Sequence, residues 1–133
     1  MEHKITGKNV ILYFNDARDI ADFLHLACAR LDCVVEFIEQ PEVGVAAIRG
    51  GLHPIAVVVD VFMPRIRVED LLAQIRAIIP EIPILLVTAT PNIKESAARL
   101  HAADYLQKPF EVDLFTEMVS KFLPSRQPVN AGP

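Results

Sequence analysis

Acidic and amide side chains stand where two apolar runs of the sequence end. Asp60 closes the run 55–59, and Asn15 and Asp16 close the run 10–14. If both runs are parallel strands, their carboxyl ends share one edge of a sheet, and the two carboxylates lie close together. Close carboxylates repel each other, which raises one pKa unless a cation lies between them. A hard divalent ion with oxygen ligands, most simply Mg2+, would remove that conflict.

The same edge offers the groups that chemistry on phosphorus requires. An aspartate can attack a phosphoryl group and form an aspartyl phosphate. The phosphoryl oxygens then need a hydroxyl and an ammonium beside them, and Thr88 and Lys108 follow two later apolar runs. Each residue alone has an ordinary explanation, since Asp60 and Thr88 suit turns and Lys108 suits solvent. Their joint placement favours the chemical interpretation.

Alternating patterns along the chain predict the elements that bring these groups together. Continuous runs of apolar residues predict strands buried on both faces, and apolar residues at helical spacing predict helices. Strand and helix alternate five times, which implies an α/β fold: a doubly wound, five-stranded parallel sheet covered on both faces. The predicted strands are 10–14, 34–38, 55–60, 84–87 and 105–106, and the predicted helices are 19–31, 41–49, 68–79, 92–100 and 112–123.

Composition limits the class of protein. A chain of 133 residues, 52% of them hydrophobic, suits one domain with a buried core. Its net charge of −4 and scattered basic residues argue against a nucleic-acid surface.

Apolar runs fall short of the roughly 18 residues that span a bilayer, and no signal-peptide core is present, so we expect a cytoplasmic protein. Cys28 and Cys33 are expected to be small core residues rather than a disulfide or a zinc site.

Four motifs in a fixed order resemble the receiver domain of two-component response regulators, the CheY-like family. They are Asp16, Asp60 to Pro64, Thr88-Ala89, and Asp104 to Phe110. The resemblance implies a flavodoxin-like sheet with the strand order 2-1-3-4-5. We therefore expect a receiver domain at 9–123, between a loose amino terminus at 1–8 and a disordered tail at 124–133.

The resemblance also implies a role for each residue. Asp60 would be the phosphoacceptor, Thr88 and Lys108 would bind the phosphoryl group, and Thr88 and Tyr105 would form the conformational switch. The implied Mg2+ ligands are Asp16, Asp60, the backbone carbonyl of Phe62 and, through water, Asn15.

A phosphorylation-controlled signalling module is the function that these roles imply. It would take its phosphoryl group from a histidine kinase or a phosphotransfer protein, and it would be no enzyme beyond catalysing its own gain and loss of phosphate. Its signal would pass to a downstream protein. The chain could also form a homodimer, and we expect no direct contact with nucleic acid or membrane. The implied partner face combines the fourth helix, the fifth strand and the fifth helix, including Ile93, Lys94, Ala97, Tyr105 and Glu117.

Two other classes remain open at this point. A degenerate receiver would act as a phosphorylation-independent interaction module, and Asn15, Arg65 and Val68 favour it because they depart from the family pattern. A small nucleotide-binding or flavin-binding α/β protein shares the architecture. That class fits poorly, because the loop 15–19 lacks the glycines that cradle phosphate and carries carboxylates instead.

Phe62 is large and apolar and lies two residues after Asp60, so we expect it to shield an acyl phosphate from water. A Phe62→Asn variant should therefore lose its phosphoryl group faster than the parent chain. Intact mass, followed over time after removal of the phosphodonor, measures this rate. An equal rate of loss in the two proteins would contradict the expectation.

Overall fold

The structure, a computed structural model, describes residues 9–14 and 18–124. Its ten elements follow the predicted order, and the largest difference is at the end of the last helix, which stops at Ser120. The expectations for 1–8 and for the tail beyond Pro124 concern residues outside the described ones. The elements are β1 Asn9–Phe14, α1 Arg18–Arg30, β2 Cys33–Ile38, α2 Pro41–Arg49, β3 Ala56–Asp60, α3 Val68–Ile78, β4 Ile84–Thr88, α4 Ile93–Leu100, β5 Asp104–Gln107 and α5 Val112–Ser120.

All five strands are parallel and lie in the order β2-β1-β3-β4-β5, which confirms the predicted sheet. β3 is the central strand, and β2 and β5 are the edges. Because parallel strands need crossover connections, each of the first four helices carries the chain back to the opposite end of the sheet. In residues 9–14 and 18–124, no helix has the length and apolar character needed to cross a membrane.

The central strand is buried on both faces, as its unbroken apolar run predicts. Val57 and Val59 belong to the hydrophobic cluster that α2, α3 and α4 complete. Val58 points the other way, into the cluster that α1 and α5 complete. Side chains of a strand alternate between the two faces, so a strand covered by helices on both sides needs apolar residues at every position.

In α2, α3 and α4, local sequence features mark the ends of the helix or the face that is buried. Pro41 occupies the first turn of α2, where a missing N–H is tolerated. The buried residues of α3 recur at helical spacing, and Pro80 follows its end. α4 is followed by its cap residue His101, which adopts a left-handed conformation with φ 58°.

Cys28 and Cys33 are both buried and carry free thiols, as expected. The Cys33 Sγ donates a hydrogen bond to the Cys28 carbonyl at 3.4 Å. A side-chain hydrogen bond to Cys33, and then burial, raise the pKa of the Cys28 thiol far above its ordinary value. Cys28 therefore stays protonated and acts as a small apolar core residue.

Gly44 lies where α2 comes close to β1 and β2. A Cβ at this position would lie 2.5 Å from two ring atoms of Phe14 and 3.2 Å from Ile38. The Phe14 ring is completely buried, so it has no free space into which to move. The absence of a side chain at Gly44 lets α2 pack directly against β1.

Gly44→Ala should lower the free energy of unfolding by about 1–3 kcal/mol, because the new methyl group forces the Phe14 ring or the helix to shift. Urea denaturation measures the change. Gly50→Ala is the matched control: Gly50 has φ −80°, which alanine adopts easily, so we expect a change below about 1 kcal/mol. If the Gly44→Ala variant is as stable as the parent, the Phe14 ring and α2 can accommodate the methyl group without strain, and the prediction is wrong.

Candidate functional site

Three of the predicted site residues lie at the carboxyl edge of three adjacent strands. Asp60 ends β3 and pairs in register with Val87 of β4. Thr88, the next residue of β4, pairs with Gln107 of β5. Lys108 follows Gln107, and its backbone N–H donates to the Thr88 carbonyl at 2.8 Å. From β3 to β4 and from β4 to β5, the next site residue therefore lies one position beyond the residue that pairs with its neighbour. The three side chains lie close together at one corner of the sheet.

Asp60 is a buried carboxylate, and the described residues that donate hydrogen bonds to it include Lys108 and Phe62. It is only 8% exposed. The Lys108 Nζ lies 2.8 Å from its Oδ2, and the backbone N–H of Phe62 donates to its Oδ1 at 3.0 Å. Charged donors and backbone N–H groups stabilise a carboxylate that burial would otherwise penalise. These two contacts orient the Asp60 side chain at the point where its strand ends.

Thr88 is completely buried, and its surroundings include two residues that sequence reasoning missed. The backbone N–H of Thr90 donates to the Thr88 Oγ1 at 3.4 Å. The Gln107 Nε2 donates to the Thr90 carbonyl at 3.3 Å and ties this loop to β5. The Thr-Ala-Thr spacing is typical of a turn in which a hydroxyl accepts from the N–H two residues on, and it could have identified Thr90.

The predicted metal ligands are only partly within the described residues. Asn15 and Asp16 lie outside them, whereas Asp60 and Phe62 lie inside. In the described part of the chain, no group of three His, Cys, Asp or Glu residues could hold a metal by itself. The Asp60 carboxylate and a backbone carbonyl are hard oxygen donors, so the chemistry of the donor set fits Mg2+ rather than a thiophilic metal.

Comparison with known proteins adds to this geometry. Residues 11–120 match the response regulator receiver domain. The chain belongs to the response regulator receiver family. A curated relative, response regulator MprA from Mycobacterium sp. (strain KMS), is 33% identical over 105 residues, which cover 77% of this chain and 45% of that protein. This receiver chain therefore spans about half the length of the curated relatives that it matches.

Solved structures share the fold of this receiver domain. Full-length FixJ from B. japonicum is 28% identical with a TM-score of 0.72, and the match covers 88% of this chain and 58% of that one. TrrA from Thermotoga maritima, in complex with Mg2+-BeF, is 24% identical with a TM-score of 0.70, and the match covers 86% of this chain and 99% of that one. The strand order and the five helices agree with these neighbours.

The predicted partner face of the receiver domain needs a correction. Ile93 and Ala97 are each only 5% exposed, because both point from α4 into the core beneath it. The expectation that they face a partner was wrong. Lys94 and Glu117 are exposed, as that face requires, and Tyr105 is half-buried against the same cluster as α4.

Phe62 is largely exposed to solvent in this conformation. The residue is 71% exposed, and its backbone N–H donates to the Asp60 Oδ1. Shielding of an acyl phosphate would require the ring to fold back over the edge of the sheet. The protective role of Phe62 therefore stays a prediction.

The contact between Asp60 and Lys108 should contribute measurably to stability. We expect a coupling free energy of about 1 kcal/mol or more in a double-mutant cycle of Asp60→Asn and Lys108→Met, because the acidic partner is largely buried. Lys108→Met alone should be destabilising, since it removes the cation from a carboxylate that remains buried. Urea denaturation of the four proteins gives the coupling.

A second ion pair provides the control for this cycle. Lys121 and Asp104 lie 3.6 Å apart, and their side chains are 62% and 27% exposed. Exposed pairs contribute little, so the cycle of Asp104→Asn and Lys121→Met should give less than about 0.5 kcal/mol. Equal coupling in the two cycles would mean that burial adds nothing to the contact between Asp60 and Lys108.

Proposed function

We propose that this receiver domain accepts a phosphoryl group on Asp60 from a histidine kinase or a phosphotransfer protein and signals through a changed partner-binding face. The main support is the buried Asp60 carboxylate, fixed at the end of the central strand with the Lys108 Nζ at 2.8 Å. An aspartate that only ended a turn would have no need of burial beside an ammonium group. Membership of the receiver family supports the same function.

The proposed transfer is a displacement at phosphorus. An Asp60 carboxylate oxygen attacks the phosphoryl group of a phosphohistidine and forms the new P–O bond. The P–N bond breaks, and its electron pair stays on the imidazole, which takes up a proton from water. In hydrolysis, water attacks the phosphorus, the P–O bond to Asp60 breaks with its electron pair on the carboxylate, and inorganic phosphate is released. The chain thus handles only its own phosphoryl group and has no outside substrate.

Lys108 and Thr88 have separate parts in this proposal. Lys108 offsets the negative charge that gathers when a phosphoryl group approaches Asp60, and it can move from the carboxylate to a phosphoryl oxygen. The Thr88 hydroxyl, one strand away, can donate to a second phosphoryl oxygen. To reach the phosphoryl oxygen, the Thr88 side chain would move towards Asp60. Because Thr88 is buried, this movement would disturb the packing around it and allow the half-buried Tyr105 to change position. That change would alter the face around α4, β5 and α5.

Mg2+ is part of the proposal, with Asp16, Asp60, the backbone carbonyl of Phe62 and, through water, Asn15 as ligands. When bound, the ion supplies positive charge that offsets the repulsion between the carboxylates and the incoming phosphoryl oxygens. Supporting it are the oxygen character of the described donors and the Mg2+-BeF complex of TrrA. The proposed location is the cytoplasm, where ATP supplies the phosphoryl group to kinases.

Incubation with acetyl phosphate and Mg2+, read by intact mass, tests the proposal. We expect one phosphoryl adduct on the parent chain and none on Asp60→Ala, because the variant lacks the nucleophilic oxygen. Asp104→Ala, which removes a carboxylate from β5 instead, is the control and should be labelled like the parent. Omission of Mg2+, with EDTA present, should strongly reduce labelling.

The opposite result would identify the alternative function. If the parent chain remains unlabelled while a known receiver is labelled under the same conditions, Asp60 is not a phosphoacceptor. The chain would then be a degenerate receiver that acts as a phosphorylation-independent interaction module.

A further inference from the structure

The loop between β3 and α3 forms one side of an open groove beside the acceptor site. Residues 61–69 line it together with Arg99 of α4, and its volume is about 570 Å³. None of the acceptor-site side chains Asp60, Thr88 and Lys108 is part of this lining. The arginine groove, as we call it, is therefore a separate surface feature.

Positive charge dominates the rim of the arginine groove. The lining contains three arginines, Arg65, Arg67 and Arg99, and a single acidic residue, Glu69. Glu69 is shared, since its carboxylate lies 2.6 Å from Arg99 and 3.7 Å from Arg67. Its own backbone N–H, and then the Arg99 guanidinium, hold the pKa of Glu69 below its usual range, so it remains ionised.

Arg65 differs from the other two arginines. In residues 9–14 and 18–124, its exposed side chain has no ion pair or hydrogen bond. The lining thus has a net charge of plus two in a chain whose net charge is −4. A local positive field of this kind attracts acidic groups, whereas the rest of the chain repels them.

Apolar side chains form the floor and one wall of the groove. Val61, Met63 and Ile66 are partly buried and pack on the core cluster beneath α3 and α4. Phe62 stands beside them and is 71% exposed. Large exposed aromatic side chains next to arginines are typical of sites where a partner's apolar side chain is buried within a polar rim.

We propose that the arginine groove binds a short acidic segment of a partner protein, with one aromatic side chain of that segment seated against Phe62 and the apolar floor. Carboxylates of the segment would pair with Arg65 and with the outer faces of Arg67 and Arg99. A small anion such as phosphate would use the guanidiniums but leave the apolar wall uncovered. Nucleic acid fits poorly, because such binding commonly rests on about six to ten phosphate contacts and the chain is acidic overall.

This inference goes beyond the proposed function, because the groove exists without a phosphoryl group. Binding there would nevertheless influence Asp60, since the loop begins at the acceptor and the Phe62 N–H holds the Asp60 Oδ1 at 3.0 Å. A ligand that fixes Phe62 and a modification of Asp60 would then affect each other reciprocally.

Fluorescence anisotropy with the full, unphosphorylated chain tests the proposal. The probe is a fluorescein-labelled peptide of alternating aspartates and glutamates around one central phenylalanine. We expect saturable binding that weakens with salt, and weaker binding of two related peptides, one with alanine at the centre and one with lysines in place of the acids. A single-stranded oligonucleotide and inorganic phosphate serve as competitors and should displace the peptide poorly.

Two substitutions connect this binding to the groove. Arg65→Glu should weaken peptide binding about tenfold, because it replaces an attraction with a repulsion. Since Arg65 has no described ion pair, the fold should be unaffected, which circular dichroism checks. Arg49→Glu makes the same charge change at the exposed end of α2, outside the groove, and should weaken binding less than about twofold.

Phe62→Ala examines the apolar wall. It should weaken binding of the phenylalanine peptide while leaving the weaker binding of the alanine peptide nearly unchanged. The proposal is overturned if no peptide binds, if the lysine peptide binds equally well, or if Arg65→Glu and Arg49→Glu have equal effects. Tighter binding of the oligonucleotide than of the acidic peptide would also overturn it and would indicate a nucleic-acid surface.

Discussion

Burial of one carboxylate at the end of an apolar strand is the constraint on which the site depends. Asp60 is only 8% exposed, and an ionised group in such a position must be paired and hydrogen-bonded. Its cation comes from Lys108, 48 residues further along the chain. The contact therefore requires β3, β4 and β5 to be adjacent, parallel and in one register. A slip of one residue would turn the side chains of a whole strand to the wrong face.

Burial of both sheet faces provides that register. Val57 and Val59 belong to one cluster and Val58 to the other, so a shift of β3 would misplace apolar groups on both sides. The missing side chain at Gly44 also helps to position the strands, because it lets α2 pack directly against Phe14 of β1. The corner that holds Asp60, Thr88 and Lys108 is thus a consequence of how the whole core packs.

The loop after β3 connects this rigid corner to a polar surface. Its first residues orient Asp60, and its later residues form the arginine groove with α4. Arg99 of α4 pairs with Glu69 of α3 in this groove, and away from it, near the other end of α3, the Arg76 guanidinium donates to the His101 carbonyl at 2.8 Å. The Asp60 site and the arginine groove therefore share one segment of backbone, although their side chains are separate.

The sequence by itself determined the order and type of the ten elements, the parallel sheet, and the convergence of Asp60, Thr88 and Lys108 at one edge. These follow from local periodicity and from the polar residues that end each run. The helical spacing of Ile93, Ala97 and Leu100 itself indicates the inward face of α4, and the expectation that Ile93 and Ala97 face a partner came from the family resemblance instead. Only the tertiary structure decided that Arg99 lies beside Glu69, because this contact depends on how α4 packs against α3, which is distant in the chain.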